Sequence, residues 1–359
     1  MPPASPIAQL LPGTQLYKYT LRHRIGGGSF GEVWLARDQA VDHEYAIKIL
    51  KPGVPIHQRL REAHIGHVLD HNNVVRVHQA DITRLGGDEY VIIAMDYMPG
   101  GPVTRLANPS LYLPLPEVIR LGKDILRGLE YLHGHDFYHN DVKPENVLIG
   151  PQGQGMLTDY GIVGVTQNGA PVAPPTFYKI HAAPEVLQQN AITARTDVYQ
   201  TGLTLFRMLV GLDTLRQKFT ALGEQGYYNA VAQADLISAS DFPAYVPNRF
   251  RRAILKAAHP DPNERYGSAL EMRRELEKLN YPGFWTVEAN GDFVGHNGGY
   301  TYRFGVTKKV GNRHDVEAKR QNKKSGRETR CAKYCHTGVT NADAKKKVAA
   351  FVKAVVEGI

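Results

Sequence analysis

The stretch YHNDVKPENV, residues 138–147, places a carboxylate, an ammonium and a carboxamide close together at Asp141, Lys143 and Asn146. Asp141 can accept the proton of an attacking hydroxyl, and Lys143 can neutralise charge on a phosphoryl group while it is transferred. Asn146 can offer its carbonyl oxygen to Mg²⁺, and a second hard-cation ligand follows at Asp159 in LTDYG. This ordered set favours phosphoryl-transfer chemistry over an ordinary Asx-rich turn.

A glycine-rich stretch, GGGSFGEV, lies between two predicted strands. Gly26, Gly28 and Gly31 lack side chains, so backbone N–H groups could lie against an anionic phosphate chain. The same stretch also fits an ordinary hairpin turn, and both interpretations stay open from this motif alone.

Lys48 lies in EYAIKIL, where apolar residues flank it on a predicted strand. A buried ammonium without an anionic partner costs several kcal/mol, so a partner is expected. Glu62, on the helix predicted to follow, is the candidate. A surface lysine and a solvated helix face are the alternative interpretation.

Two regions of different periodicity must position these residues. From Tyr19 to Met98, short β-rich runs predict a small sheet, and HQRLREAHIGHVLD predicts one helix within it. After Pro116 the pattern becomes helical, in EVIRLGKDILRGLEYLH, TDVYQTGLTLFRMLVG, RFRRAILKAAH and SALEMRRELEKL. The fold class predicted is α+β.

From about residue 19 to about residue 279, the chain resembles the eukaryotic-type protein kinases. GGGSFGEV resembles their Gly-rich loop, YAIK the strand-three lysine motif, YHNDVKPENV the catalytic loop, DYG the metal-binding triplet and APE the end of the activation segment. REAHIGHVLDHNNVV resembles the helix with the partner glutamate, and the DPNERYGSALEM ending is similar to bacterial-type members. The resemblance implies a bilobal fold, with an N-terminal extension at 1–18 and a kinase domain at 19–281. Its N-lobe would span about 19–98 and its C-lobe about 99–281.

The resemblance implies ATP and Mg²⁺, with Mn²⁺ as an alternative ion, and it assigns roles. Lys48 would contact the α- and β-phosphates and pair with Glu62, while Asp141 would be the base. Asn146 and Asp159 would hold the metal. The DVKPEN form, with Lys143, is typical of serine/threonine rather than tyrosine kinases, so the acceptor would be a Ser or Thr hydroxyl of a protein, or of the chain itself.

The resemblance also implies an adenine pocket and a set of structural residues. Met95 would be the gatekeeper, and Asp96 to Met98 the hinge whose backbone meets the adenine edge. The expected pocket residues are Val33, Ala46, Met95, Asp96, Met98 and Leu148, beside Gly26, Gly28 and Gly31. The expected structural residues are His139, Asp197, which would anchor the catalytic loop, and the pair Glu185 and Arg265.

The chain departs from the family pattern in its catalytic loop and activation segment. Asn140 stands where many kinases have Arg, so a phosphate on the activation loop would lack its usual partner, and activity independent of loop phosphorylation is expected. Tyr160 replaces the more common Phe. Tyr178 and His181 stand where Thr and Tyr are usual, which predicts an unusual peptide-binding floor.

A further departure is Gly66, four residues after Glu62, where the family usually buries a Leu or Met against Val77, Tyr160 and His139. A glycine in a helix costs about 1 kcal/mol relative to alanine, so we expect a helix that a tail, a second subunit or a ligand must steady. A register slip that lets Ile65 or His67 fill the gap is the alternative.

Residues 282–359, here called the tail, carry the charge imbalance and resemble no family that we can name. They hold 15 Lys and Arg against 7 Asp and Glu, which accounts for the whole net charge of +8. The tail pattern predicts twisted strands with Gly turns, followed by an amphipathic helix capped by Thr340 and Asp343. A basic face interleaved with Tyr300, Tyr302 and Tyr334 could bind nucleic acid or an acidic protein. A solvated lysine-rich surface is the alternative.

The chain has two cysteines, Cys331 and Cys335, so no disulfide framework is expected and a reducing compartment is the simpler assumption. With His336 and His314 they could bind zinc, but Cys-x-x-x-Cys-His is not a well-marked spacing, and half-buried structural cysteines are favoured. Neither a signal peptide nor a long apolar run is readable, which predicts a cytoplasmic protein with no membrane contact. The oligomeric state and the substrate are not predicted.

These patterns predict an ATP-dependent protein kinase. The alternative from a different class is a pseudokinase or scaffold that presents the tail to a partner, and a third is a kinase of small molecules.

Overall fold

The computed structural model describes residues 10–28, 31–50, 67–85, 88–107, 110–159 and 164–358. In its first part, antiparallel strands form one sheet in the order β1-β2-β3-β4-β6-β5. The strands are β1 (Gln15–Leu16), β2 (Tyr19–Gly28), β3 (Gly31–Asp38), β4 (His43–Leu50), β5 (Val77–Leu85) and β6 (Asp88–Asp96). The strands predicted at EVWLAR, EYAIKIL and YVIIAMDY are therefore confirmed.

The sheet begins earlier than the sequence pattern indicated. Leu10 and Leu16 are buried in a cluster with Tyr19, Trp34 and Ile47, because pairing β1 with β2 removes apolar surface from water. Gln15 and Leu16, within the predicted extension at 1–18, thus form a strand of the sheet, and Leu10 packs against it. The predicted helix at HQRLREAHIGHVLD lies almost wholly outside the described residues, as do Glu62, Gly66 and Tyr160.

Helices dominate the next part of the chain. They are α1 (Leu115–Gly134), α2 (Pro184–Gln189), α3 (Ala194–Val210), α4 (Thr214–Ala232), α5 (Asn248–Ala257) and α6 (Ala269–Glu277). The helices predicted from periodicity correspond to α1, α3, α5 and α6 and are confirmed. The pattern missed α4, which buries only Leu215, Tyr227 and Val231 and contains the non-helical Gly223.

Helix α3 lies at the centre of this part, and it is buried along its length from Thr196 to Leu209. A helix surrounded by protein must find partners for every polar side chain it carries. Four such residues are Asp197, Gln200, Thr204 and Arg207, and all of them are buried.

Two short antiparallel strand pairs flank the catalytic stretch. Strand β7 (Phe137–Tyr138) pairs with β10 (Gly164–Val165), and β8 (Val147–Ile149) pairs with β9 (Gly155–Leu157). Residues 139–146 therefore form the connection between β7 and β8, while Asp159 follows β9. The backbone of Val75 and Asn73 bonds that of Leu157, at 2.8 and 2.9 Å, and this ties the first sheet to β9.

The tail forms a second antiparallel sheet with one helix, as its pattern predicted. Its elements are β11 (Gly283–Val287), β12 (Phe293–Asn297), β13 (Tyr300–Lys308), β14 (His314–Asn322), β15 (Glu328–Arg330), β16 (His336–Val339) and α7 (Asn341–Glu357). Thr340 caps α7 by accepting the backbone N–H of Asp343 at 3.1 Å. Val348, Phe351, Val352 and Val355 do share the packed face.

Aromatic rings hold α7 on this sheet. Trp285 is buried, its ring lies 6.0 Å from that of Phe351, and its indole N–H donates to the Val352 carbonyl at 2.9 Å. Phe293 joins the tail to the helical part, since its ring lies 6.1 Å from that of Tyr245. The tail core therefore continues into the core of the helical part. The boundary near Tyr281 stays a prediction.

We predict that Phe351→Ala lowers the free energy of unfolding by about 3–5 kcal/mol, because it leaves a cavity among buried rings. Lys346→Ala, on the exposed face of the same helix, serves as the matched control and should change it by less than about 0.5 kcal/mol. Urea unfolding followed by tryptophan fluorescence measures both. Equal effects of the two substitutions would show that α7 is not packed on the tail sheet.

Candidate active site

The catalytic stretch turns sharply at its start, and a buried carboxylate holds the turn. Asp197 accepts the backbone N–H groups of His139 at 2.9 Å and Asn140 at 2.7 Å, and its Oδ2 lies 2.8 Å from His133 Nε2. Asn140 has a φ of 61°, a left-handed conformation that asparagine tolerates better than most residues. The chain reverses here and directs the following residues toward the first sheet. The space between that sheet (β1–β6) and the helical part (α1–α6) is called the cleft below.

His139 is fully buried behind this turn. Its Nδ1 accepts the backbone N–H of Asp141 at 3.2 Å, so Nε2 carries the proton and donates to the Thr158 carbonyl at 3.1 Å. Burial lowers the pKa of His139, which agrees with a neutral ring. The imidazole therefore links the catalytic stretch to the chain that leads into Asp159.

The three chemical groups of the opening motif converge at Asp141. Its Oδ2 accepts from Lys143 Nζ at 2.6 Å and from Asn146 Nδ2 at 2.8 Å. Its Oδ1 is buried and has no hydrogen-bond partner among the described residues. Burial raises the pKa of Asp141 to about 6, Lys143 opposes that rise, and the Asp159 carboxylate adds to it. One oxygen of this carboxylate is thus fixed, and the other is free to accept a proton.

Asp159 meets Lys48 across the cleft between the two parts. Lys48 Nζ lies 2.7 Å from Asp159 Oδ1, and the lysine side chain is only 8% exposed. Burial alone would raise the pKa of Asp159, but the ion pair with Lys48 holds it below its ordinary value. The structure therefore brings Lys48 of β4 and Asp159 of the helical part together, whereas Glu62, the other predicted partner, lies outside the described residues.

Asn146 and Asp159 are suited to hold a hard cation. The side-chain NH₂ of Asn146 donates to Asp141, and its side-chain oxygen has no partner among the described residues. Lys48 bonds Oδ1 of Asp159 and leaves Oδ2 for another ligand. The backbone N–H of Thr158, the residue before Asp159, donates to the backbone carbonyl of Asn146 at 3.1 Å, so the two stretches are neighbours. No group of three His, Cys, Asp or Glu suited to a metal forms in the described part of the chain. These two oxygens fit Mg²⁺, which usually takes its remaining ligands from water and phosphates.

The glycine-rich stretch lies on the paired strands β2 and β3, next to β4. Gly26 pairs with Val33 and Gly28 with Gly31 between β2 and β3. At Gly31 a Cβ would lie 2.1 Å from the Ile49 carbonyl oxygen of β4, so backbone contact excludes any side chain there. The strand β3 can then approach β4 closely, next to Lys48.

The residues predicted to surround an adenine ring lie on the strands and connection around this cleft. Ala46 and Met95 are cross-strand neighbours on β4 and β6, and Val33 pairs opposite Lys48. The connection after Asp96 turns through a bond from the Gly101 N–H to the Met98 carbonyl, 2.9 Å, and Leu148 bridges to Pro102. The roles assigned to these residues stay predictions.

A second buried ion pair fixes the end of the segment that follows Asp159. Glu185 and Arg265 form two parallel contacts of 2.8 Å, and the Thr196 hydroxyl donates to Glu185 at 2.8 Å. Breaking such a pair by removing one partner typically costs about 3–5 kcal/mol. The start of α2 is therefore held against the helical core.

Asn140 also reaches the segment between Asp159 and Glu185. Its amide Nδ2 donates to the Thr176 carbonyl at 2.9 Å. A neutral hydrogen bond thus connects the catalytic stretch to this segment. The arginine that many kinases have at this position would instead need a phosphate on the segment as its partner.

Sequence reasoning missed a row of residues on α3. Gln200 accepts from the Val142 N–H at 3.0 Å and donates to the Asn140 carbonyl at 2.9 Å, and the Thr204 hydroxyl donates to the Val142 carbonyl at 3.0 Å. The available signal was the spacing of polar residues, three and four apart from Asp197, in an otherwise apolar helix.

His181 was expected in an unusual peptide-binding floor, but it is completely buried. Its Nδ1 donates to the Val142 carbonyl at 2.8 Å, and its Nε2 accepts from Arg207 at 3.2 Å. Arg207 also pairs with Glu145 at 2.6 Å. Burial and the Arg207 charge hold the pKa of His181 well below its ordinary value. His181 therefore supports the catalytic stretch from behind and does not face the cleft.

Of the three tyrosines predicted to interleave with the basic residues of the tail, Tyr302 is buried, whereas Tyr300 and Tyr334 are half-buried. Tyr302 is only 4% exposed, and its ring lies 6.3 Å from that of Phe351. Tyr334 packs on the same phenylalanine at 5.2 Å, and the guanidinium of Arg320 covers Tyr300 at 4.9 Å. Tyr302 is therefore not available to stack on a nucleic-acid base, and a binding role for this face stays a prediction.

Several tail cations have acidic neighbours. Lys319 lies 3.1 Å from Glu328 and 3.5 Å from Glu317, whereas Lys345 and Lys347 are exposed and have no acidic partner in the described part of the chain. The unpaired positive charge of the tail thus lies partly on the first turns of α7.

The cysteines do not build a zinc site among the described residues. Cys331 and Cys335 are half-buried and free, and the Cys335 thiol contacts the backbone N–H of Ala318 at 3.3 Å and the Cys331 carbonyl at 3.4 Å. These contacts fit half-buried structural cysteines better than zinc ligands.

The fold and the cleft are those of a protein kinase, and comparison with known families shows the same class. A family model described as "Protein kinase domain" matches residues 19–276, and the chain belongs to this family.

Among curated proteins, the chain is similar to bacterial serine/threonine-protein kinases. It is 30% identical over 270 residues to PrkC of Bacillus subtilis, with 72% of this chain and 40% of the relative covered. It is 28% identical to PknA of Corynebacterium glutamicum, covering 71% and 54%, and 26% identical to PknB of Mycobacterium leprae, covering 73% and 43%. The chain thus spans about half, or less, of the length of these relatives. The similarity is consistent with the bacterial-type ending predicted from the sequence.

Within the described ranges, no helix is both long enough and apolar enough to cross a membrane.

We predict that His181 makes stability fall on the acid side of neutrality. The unfolded chain protonates this histidine below about pH 6.5, whereas the native chain does not, so stability is lost as the pH drops. In His181→Gln, the fall in unfolding free energy between about pH 7 and about pH 5 should be smaller than in the wild type. Urea titrations at a series of pH values measure it.

His23→Gln is the control for this experiment, because His23 is exposed. It should leave the pH dependence unchanged. If both variants follow the wild-type curve, His181 is not held neutral by Arg207 and the Val142 carbonyl.

Proposed function

We propose that this protein is a serine/threonine kinase that transfers the γ-phosphoryl group of ATP to hydroxyls of proteins, itself included. The observation that carries the proposal is the pair of oxygens of Asp141. Lys143 and Asn146 hold Oδ2, while Oδ1 is buried, has no partner in the part of the chain that the structure describes, and can accept the proton of an incoming hydroxyl. An unsatisfied buried carboxylate oxygen costs free energy until a ligand completes it.

The charged residues around Asp141 divide the remaining work. Lys48, held by Asp159 on one wall of the cleft, would contact the α- and β-phosphates, and Lys143 would meet the phosphoryl group that is transferred. Both ammonium groups lie in partly buried surroundings, where they attract anions more strongly than in water. The chain thereby offers fixed positive charge to a polyphosphate.

The free oxygens of Asn146 and Asp159 would hold Mg²⁺, with Mn²⁺ as an alternative. When bound, the ion would bridge phosphate oxygens and offset their charge. Gly26, Gly28 and Gly31 would let the hairpin backbone cover the phosphates, and the residues around Ala46, Met95 and Leu148 would enclose the adenine.

A scaffold without catalysis is the less favoured function. A protein that only presents its tail does not require Asp141, Lys143, Asn146, Lys48 and Asp159 in one connected set of contacts. The relatives named above are serine/threonine-protein kinases, which supports a protein acceptor over a small molecule.

We further propose that residues 282–359 form a module of their own that meets an acidic partner, either nucleic acid or protein. The exposed lysines at the start of α7 support an electrostatic contact with that partner. We place the protein in the cytoplasm, because the ATP that it would use is found there.

We predict that Asp141→Asn abolishes phosphotransfer, lowering kcat by about 10²-fold or more, because the amide cannot accept the proton. Transfer of γ-labelled phosphate from ATP with Mg²⁺ to casein and to the protein itself measures it. ATP binding, followed by calorimetry, should survive the substitution.

Lys256→Ala, an exposed change far along the chain on α5, is the control and should retain activity. Incorporation that persists in Asp141→Asn would assign the label to a contaminating kinase and remove the proposal. ATP binding without any transfer by the wild type would favour the scaffold.

We predict that activity does not require a phosphate on the segment after Asp159. Thr176 is exposed and Thr166 is buried, and no serine occurs between Asp159 and Glu185. Thr176→Val, and the wild type after phosphatase treatment, should therefore keep kcat within about twofold, since the Asn140 bond uses the Thr176 backbone. Asn140→Asp should lower kcat about fivefold or more, because a carboxylate cannot donate to that carbonyl.

Mass spectrometry confirms the phosphorylation state of each sample in this comparison. A large loss of activity in Thr176→Val, together with phosphate found on Thr176 in the wild type, would contradict the prediction.

A further inference from the structure

The ammonium of Lys143 lies between a carboxylate and an aromatic ring. Its Nζ bonds Asp141 Oδ2 at 2.6 Å, and the centroid of the Tyr178 ring lies 4.4 Å from the same nitrogen. The lysine side chain is only 16% exposed, so water screens these contacts weakly. The position of Lys143 is therefore determined from two sides.

The activation segment, which is the chain between Asp159 and Glu185, holds the Tyr178 ring in place. Tyr178 immediately precedes the short turn Lys179–His181, and its carbonyl accepts the His181 N–H at 3.0 Å. His181 in turn donates to the Val142 carbonyl at 2.8 Å, next to Lys143 in the chain, and its ring lies 5.7 Å from that of Tyr178. The ring and the lysine are thus attached to the same buried group.

An aromatic face binds an ammonium without using up a particular N–H. Lys143 has three donors, and Asp141 takes one of them. A hydroxyl, as on the threonine that the kinase resemblance implies at this position, would bond the ammonium at one N–H and one direction. The ring instead attracts the positive charge as a whole and leaves the remaining donors for another acceptor.

The Tyr178 hydroxyl does not contribute to this contact. Among the described residues it has no hydrogen-bond partner, and the ring is half-buried. What the position provides is therefore an aromatic face rather than a phenol.

We propose that Tyr178 is a positioning residue for phosphoryl transfer, which holds the Lys143 ammonium through the face of its ring and keeps two of its donors available to the transferred phosphoryl group. This inference rests on the proposed kinase function. It gives the departure at Tyr178 a role in the chemistry, where the sequence pattern had indicated only an altered peptide-binding floor.

Steady-state kinetics of the full-length chain, with ATP, Mg²⁺ and casein, test the proposal. Tyr178→Leu removes the ring and should lower kcat roughly 2- to 30-fold, with the KM for ATP nearly unchanged, because the lysine contact matters most as charge moves in transfer. Tyr178→Phe keeps the ring face and should rescue most of the lost kcat. Thermal unfolding of both variants checks that they are folded.

The coupling between the two residues is the decisive measurement. In a Lys143→Met background, already slow, the further change Tyr178→Leu should have little effect on kcat. An equal fold-loss in the presence and in the absence of Lys143 would overturn the proposal, and so would equal losses in Tyr178→Phe and Tyr178→Leu.

A spectroscopic signature tests the contact without any activity. In protein labelled with ¹³C at the lysine ε-carbon, the Lys143 signal, assigned by its loss in Lys143→Arg, should be shifted by the ring current. That shift should persist in Tyr178→Phe and disappear in Tyr178→Leu. If the wild type transfers no phosphate but the shift behaves in this way, the proposed function fails while the contact stands. A Lys143 signal that is the same in all three proteins would refute the contact itself.

Discussion

The cleft depends on one buried carboxylate, that of Asp197. Its oxygens accept two consecutive backbone N–H groups, those of His139 and Asn140, and a third contact comes from His133. A buried carboxylate without hydrogen-bond partners would cost far more free energy than a protein can supply. The three contacts are therefore what makes the burial of this charge possible. Because the bonds fix backbone atoms, they set the direction in which the chain leaves the turn. The placement of Asp141 and Lys143 follows from that direction.

Further buried polar side chains of helix α3 also hold the catalytic stretch. Asp197, Gln200, Thr204 and Arg207 succeed one another at intervals of three and four residues, so they lie along one side of the helix. Each of them bonds a later point of the catalytic stretch, from the N–H groups at its start to Glu145 near its end. A rigid helix thereby serves as the template for an irregular segment that has little regular hydrogen bonding of its own. Catalytic groups on such a segment are positioned by the helix behind them.

The activation segment is tied to the same stretch by neutral or aromatic contacts. Asn140 bonds the Thr176 backbone, His181 bonds the Val142 carbonyl, and the Tyr178 ring lies against Lys143. None of these contacts requires a phosphate, and together they tie residues 176–181 to the catalytic stretch. The departures at Asn140, Tyr178 and His181 are thus related physically, since all three side chains join the same two stretches of chain.

The sequence by itself determined the class of fold, most of the helices and strands, and the chemical groups of the cleft. Local periodicity specifies elements, and Asp141, Lys143, Asn146 and Asp159 stand in an order that resembles one family. It could not determine the partners of buried polar residues, because these pairings join positions far apart in the chain. Sequence therefore placed His181 and Tyr178 together in a substrate floor, and tyrosines on a basic tail surface. Only the tertiary structure decided that His181 is buried, that Tyr178 lies against Lys143, and that Tyr302 of the tail packs inward. Each of these outcomes depends on which surfaces meet when the elements pack, and neither periodicity nor spacing records that.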